Sequence, residues 1–354
     1  MRASTAPFVL RRAGFAPRWD AARAVYTGCG VGGEVALTLE APLQRAAEAV
    51  LMQAPGIAGA VVVLEAASGR VLVLAERGAA AAGWGSLALE PFPAASLFKV
   101  ASAAVALEAG LRPASVIRYR GWRRERGPTT ASRWLDVRGI TLARALACSH
   151  NTAFARLTPS PVTAAGLRGC AARLGFGRQL PFDAAVGVSR ADIDDDPRDL
   201  AEAAMGFGCV TISPLHAAAW FGAIADDGRR ARPRLVSSGE VAGGGETRVL
   251  LAETARDLRQ MLAETVHRGT ARRAFRPLLG RLPAALAICG KTGSRTAWRG
   301  RPGISWFSAA LIGAGPPLGL ACLLLGDGLT RAPAAEVVAR WMELCRPWTR
   351  DPGR

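Results

Sequence analysis

Lysine and asparagine are nearly missing from this sequence. Its 354 residues hold two lysines, Lys99 and Lys291, and one asparagine, Asn151, against 43 arginines. The skew matches a genome that avoids AT-rich codons, and it accounts for much of the formal charge of +17 before any anionic partner is invoked. Arginine cannot release a proton near neutral pH, whereas a desolvated lysine can. A chain that uses arginine nearly everywhere has kept lysine at two places and asparagine at one. Those three positions are where chemistry is sought first.

Other scarcities narrow the field. The three histidines, His150, His216 and His267, are scattered, which disfavours a histidine-based triad and a metal site; the last two fall in helical segments and read as structural. Seven cysteines are widely spaced with no Cys-x-x-Cys pair, so neither a zinc site nor a disulfide framework is indicated, and buried free thiols are expected. No run of 18 or more apolar residues marks a membrane span. The first 30 residues carry arginines but lack the continuous apolar core of a signal peptide. Export or anchoring is therefore expected to depend on something this sequence does not display.

With 50% hydrophobic and 21% charged residues, the composition is that of a globular domain with a sizeable core. Residues 34–39 alternate like a strand, and Pro42 opens a helical stretch to Met52. The β-rich runs 60–64 and 71–75 flank Ser68-Gly69 and read as a hairpin. Helices are predicted over 96–109, 139–157, 163–174, 214–225, 253–266 and 334–344. Residues 78–90 read as a small-residue connector, 118–138 as a basic loop with two tryptophans, and 192–199 as an acidic loop leading into a helix. Three apolar runs near the end, 287–290, 306–312 and 318–325, read as consecutive antiparallel strands. Strands at both ends around a helical middle predict one α+β domain whose terminal strands share a sheet. The domain is placed at 34–348, with a tail or linker at 1–33 and a short tail at 349–354.

Three short motifs carry the chemistry. In Ser96-Leu97-Phe98-Lys99, a spacing of three on a helix sets hydroxyl and amine on one face. A serine needs a neighbouring base, and a buried lysine of lowered pKa can serve. Ser149-His150-Asn151 supplies a hydroxyl able to relay a proton and an amide able to bind a peptide bond. Lys291-Thr292-Gly293, followed by Ser294, lies on a predicted strand, where glycine permits close approach by another backbone. Each motif alone is weak. Their order, and their joint use of both lysines and the lone asparagine, is not.

The set resembles the penicillin-recognising serine enzymes, namely penicillin-binding proteins and serine β-lactamases. The likeness runs from Glu34 to Arg346, through Val35-Ala-Leu-Thr-Leu-Glu-Ala-Pro-Leu-Gln44, Gly139-Ile-Thr-Leu-Ala-Arg-Ala-Leu-Ala147, Gly206-Phe-Gly208, Ser213-Pro-Leu215 and Gly269-Thr-Ala271. It implies a β-lactamase/transpeptidase-like fold, with a central antiparallel sheet of about five strands covered by helices on both faces. It implies a peptidoglycan D,D-transpeptidase acting on D-Ala-D-Ala stem peptides. Ser96 would be the nucleophile, Lys99 its base and Ser149 the proton donor to the leaving D-alanine. Asn151 would bind the peptide amide, and Lys291 and Thr292 the terminal carboxylate. Gly293 would let substrate approach, and the backbone N–H groups of Ser96 and Ser294 would form the oxyanion hole. No cofactor or metal is implied. The expected partners are stem peptides as donor and acceptor, β-lactams as covalent inhibitors and membrane-anchored cell-wall synthesis proteins. The expected location is the extracytoplasmic side of the bacterial envelope. The family's usual anchor and its glycosyltransferase or pedestal domain are not visible in this sequence.

Two alternatives share the acyl-enzyme, a D,D-carboxypeptidase and a serine β-lactamase. The second needs a base for deacylation, and Asp192, Asp194, Asp195, Asp196 and Glu202 read instead as a solvated loop and helix cap. A sensor that is merely acylated is a further possibility. The remote alternative is nucleic-acid binding through the arginines and aromatics of 118–126, but no recognised nucleic-acid module accompanies them.

Overall fold

The computed structural model describes residues 17–30, 33–78, 86–119, 138–237, 246–297, 300–313, 315–329 and 332–345. At its centre is a five-stranded antiparallel sheet in the spatial order Ala287–Arg295, Ile304–Ile312, Leu318–Leu325, Ala58–Glu65, Val71–Arg77. The two ends of the domain meet where Leu318–Leu325 pairs with Ala58–Glu65, in the register Ala321↔Val62. The fold is the α+β architecture expected, with the predicted hairpin and the three late strands as its components.

Strand periodicity of two explains the two-sided burial. Along Ala58–Glu65, Val62 and Leu64 face one core and Val61 and Val63 the other. The first core is completed by Pro214–Ala225 (Trp220, Phe221), Ala252–His267 (Leu258, Met261) and Lys99–Glu108. The second is completed by Ala41–Met52 (Leu43, Ala47) and Pro333–Leu344 (Val338, Trp341). Since helices cover both faces, the central strands read as unbroken apolar runs rather than alternating ones. Helix starts follow from local chemistry. Thr141, Thr163 and Ser213 accept from the amides of Arg144, Gly166 and His216, and Pro214 occupies the first turn, where no amide donor is needed.

One contact sets how deeply a helix can settle on the sheet. A Cβ at Gly319 would collide with the Ala218 carbonyl and the Gly222 amide, so Pro214–Ala225 rests directly on strand backbone. Gly319→Ala is expected to destabilise the protein by about 2–3 kcal/mol, because backbone cannot step aside as a side chain can. Chemical denaturation at neutral pH checks this, and an unchanged midpoint would contradict it.

Three expectations need correction. The segment 1–33 is expected to be a tail or linker, yet among its described residues Arg18–Asp20 and Val25–Gly30 join Gly33–Ala36 in an antiparallel meander. Short strands interrupted by glycine carry little periodic signal. The single helix expected over 139–157 is a strand, Arg138–Thr141, and two helices, Leu142–Ala147 and Asn151–Arg156. They are split at Ser149, whose φ of 56° cannot continue a right-handed helix. Of the seven free thiols, Cys29 and Cys209 are exposed and Cys148 is half-buried, because they sit on short peripheral strands and at a helix end rather than in a core. Most of the basic loop 118–138, part of the connector 78–90 and the tail 349–354 lie outside the described residues.

Candidate functional site

The Ala-rich segment after Pro93 enters a 3₁₀ turn, Ala95–Phe98, which runs straight into the helix Lys99–Glu108. The tight turn puts Ser96 half-exposed at the mouth of the helix and Lys99 wholly beneath it. Ala95, just before the serine, is held at φ 47°, a left-handed conformation that a non-glycine residue adopts only where surrounding packing imposes it. The packing is visible. Trp306 Nε1 donates to the Pro93 carbonyl at 2.9 Å, and a Cβ at Gly206 would collide with the Ala95 carbonyl.

Lys99 is fully buried. Its Nζ lies 2.7 Å from Ser96 Oγ and donates to Asn151 Oδ1 at 2.8 Å and to the Met205 carbonyl at 2.6 Å. The rings of Phe154 and Phe207 stand 6.0 and 5.8 Å from it. Desolvation pushes its pKa well below the ordinary lysine value, and the charge of Lys291 pushes in the same direction. The neutral amine has two hydrogens and one lone pair. Carbonyl oxygens at Asn151 and Met205 can only accept, so they claim both hydrogens and leave the lone pair facing the Ser96 hydroxyl.

Lys291, also fully buried, comes from the strand Ala287–Arg295. Its Nζ donates to Ser149 Oγ at 3.0 Å and to the Thr292 carbonyl at 2.8 Å. Desolvation lowers its pKa to about 7, partly offset by Cys148. The left-handed backbone of Ser149 turns that hydroxyl toward the strand instead of along the helix. Gly293 allows the strand to pass close to the nucleophile turn, since a Cβ there would lie 3.3 Å from the Ala94 carbonyl and 3.4 Å from the Leu97 amide. Ser294 is exposed and pairs with Ser305. The three motifs thus converge. Ser96, Lys99 and Asn151 are joined by one set of hydrogen bonds and Ser149, Lys291 and Thr292 by another, while Gly293 lies against the turn that carries Ser96.

The remaining expectations are placed as follows. His150 is buried, its Nδ1 accepting from the Ala153 amide to cap Asn151–Arg156, with its ring edge-on to Tyr119 at 4.4 Å. His216 is buried, bonded to the Leu174 carbonyl at 2.8 Å, and pushed down by desolvation to about 4; it is neutral and structural. Asp192, Asp194, Asp195 and Asp196 are exposed. Asp196 caps Pro197–Met205 and Asp195 pairs with Arg168 at 3.0 Å. Glu202 is half-buried on that same helix. Two contributors escaped sequence reasoning. The Met205 carbonyl has no side-chain signature, though the Gly206-Phe-Gly208 segment marked its neighbourhood. Thr270, whose Oγ1 lies 2.6 Å from Thr292 Oγ1, sits in the Gly269-Thr-Ala271 segment.

Chemically, the site offers a hydroxyl with a dry amine beside it, a second hydroxyl bonded to the Lys291 amine, and an edge strand that becomes exposed at Ser294. The penicillin binding protein transpeptidase domain family matches residues 59–341. Penicillin-binding protein A of Mycobacterium tuberculosis superposes with a TM-score of 0.71 at 23% identity, covering 88% of this chain and 81% of that one. The D,D-transpeptidase domain of a peptidoglycan glycosyltransferase from Eggerthella lenta does so with 0.71 at 24%, covering 88% and 82%. Penicillin-binding protein 3 of Mycobacterium tuberculosis, complexed with aztreonam, gives 0.69 at 21%, covering 90% and 79%. No curated protein matches in sequence.

Proposed function

Because the chain belongs to the penicillin-binding protein transpeptidase family, we propose that it is a D,D-transpeptidase that cross-links peptidoglycan stem peptides through an acyl-enzyme on Ser96. The observation that carries this reading is the buried Lys99 amine 2.7 Å from Ser96 Oγ, with the Asn151 and Met205 carbonyl oxygens placed to take its hydrogens.

The family resemblance supplies the order of steps, and the hydrogen bonds of Ser96, Lys99 and Ser149 support the roles given to them. Ser96 Oγ attacks the carbonyl carbon of the penultimate D-alanine and its proton passes to Lys99. The carbonyl oxygen gathers negative charge and is met by the backbone N–H groups of Ser96 and Ser294. Ser149 accepts from Lys291, so its own proton is free to go to the departing amine as the C–N bond breaks. Lys291 and Thr292 hold the terminal carboxylate, and Asn151 Nδ2 remains available for the peptide carbonyl while its Oδ1 serves Lys99. An acceptor amine from a second stem peptide then attacks the ester carbon and gives its proton to Ser149, replacing the one lost to D-alanine, while Ser96 leaves with the proton held on Lys99. β-Lactams enter the same cleft and stay as esters of Ser96. A substrate of this kind lies outside the cytoplasmic membrane, which supports a location on the extracytoplasmic side of the envelope, with anchored cell-wall synthesis proteins as partners.

The test is product analysis with a D-Ala-D-Ala peptide, with and without an amine acceptor. Release of D-alanine together with a new amide to the acceptor is the expected result. Release with hydrolysis alone would make the protein a carboxypeptidase. Fast turnover of penicillin would make it a β-lactamase.

A further inference from the structure

Thr270 belongs to none of the three motifs, yet it touches Thr292 of the third and Ala147, two residues ahead of the second. Gly269 lets the loop between Ala252–His267 and Arg272–Leu279 press onto the end of Leu142–Ala147, for a Cβ there would collide with the Ala147 carbonyl. That carbonyl accepts from the Thr270 amide at 3.1 Å. From this anchored position, two residues ahead of Ser149, Thr270 Oγ1 reaches Thr292 Oγ1 at 2.6 Å and lies only 3.4 Å from the same Ala147 carbonyl. The contact therefore ties the segment leading to Ser149 to the strand that carries Lys291.

Each hydroxyl has one proton to give. If Thr292 donates to Thr270, its proton is turned away from the cleft and Thr270 spends its own on Ala147, at long range. If Thr270 donates to Thr292, the Thr292 proton is released to the cleft. The 2.6 Å bond is made in either arrangement, and at 3.4 Å the Ala147 carbonyl adds little to the first; an anion bound by Thr292 selects the second, because successive hydroxyls donating in one direction polarise each other. We propose that Thr270 is a positioning residue that donates to Thr292 and so aims the Thr292 hydroxyl at the carboxylate of the acyl donor. This rests on the reading of Thr292 as a carboxylate ligand.

The test pairs isosteric and conservative variants with acidic and neutral ligands. Thr270→Val is expected to weaken the pre-covalent affinity for benzylpenicillin about fivefold while the first-order acylation step moves less than about twofold. Thr270→Ser is expected to restore the wild-type affinity. The methyl ester of benzylpenicillin, which lacks the carboxylate, should not distinguish the variants. An equal loss for acid and ester, or no rescue by serine, would reduce Thr270 to a packing role and overturn the proposal. A second readout is independent of acylation. In a Ser96→Ala background, Thr270→Val should weaken binding of a D-Ala-D-Ala peptide but not of its C-terminal amide. Should no penicillin label the wild-type protein, the proposed function fails, while these dissociation constants still decide the role of Thr270. Equal effects on peptide and amide overturn it.

Discussion

Lys99→Met is expected to slow acylation by a fluorescent penicillin about a thousandfold, the mid-range for removal of a general base. Methionine has nearly the length of lysine and suits a buried site, so the loss should not come from a cavity. The ammonium form is already disfavoured by burial and by Lys291, so little electrostatic stabilisation disappears with it. What goes is the lone pair facing Ser96 and two hydrogen bonds, to Asn151 and Met205. Lys99→Arg is the sharper companion. A guanidinium keeps charge and donors but cannot take a proton near neutral pH. A base role requires both variants to be comparably slow. A role as a structural cation predicts that arginine rescues. Thermal midpoints recorded beside the rates would separate either outcome from unfolding.

The second large effect is on pH dependence. Lys291 must be charged to hold a carboxylate, and desolvation lowers its pKa to about 7. Rising pH through that value removes the charge, so the second-order acylation constant should fall above about pH 7 to 8, tending to tenfold per pH unit. Lys99 works with the opposite sign: it must be neutral, and falling pH through its lowered pKa protonates it. The two limbs together make a bell. Binding a carboxylate favours the charged form of Lys291, so the basic limb should move upward in the first-order constant. Lys291→Arg remains charged throughout, and its basic limb should vanish whatever happens to its absolute rate. A limb near pH 7 that persists in this variant would assign the titration elsewhere.

Much of the site was legible because the composition is so uneven. When arginine fills nearly every basic position, Lys99 and Lys291 stand out as places where a removable proton matters, and Asn151 stands out likewise. The late strands were legible because Trp306, Phe307 and Leu320–Leu325 are buried on a sheet covered on both faces, which writes itself as continuous apolar runs. The misses around the site share a cause. Ala- and Leu-rich residues around Ser149 carry helical propensity, yet a left-handed turn at Ser149, which brings its hydroxyl to Lys291, interrupts them, and a contact between residues so far apart in the chain leaves no local pattern. The Met205 carbonyl and the Thr270 hydroxyl are likewise positioned by contacts more than a hundred residues away, with Lys99 and Ala147 respectively.

The most direct measurement is intact mass after exposure to benzylpenicillin, followed by peptide mapping. The wild-type protein should gain one adduct, carried by the peptide containing Ser96, and Ser96→Ala should gain none while keeping its thermal midpoint. An adduct on any other residue, or equal labelling of Ser96→Ala, would contradict the assignment of the reacting hydroxyl.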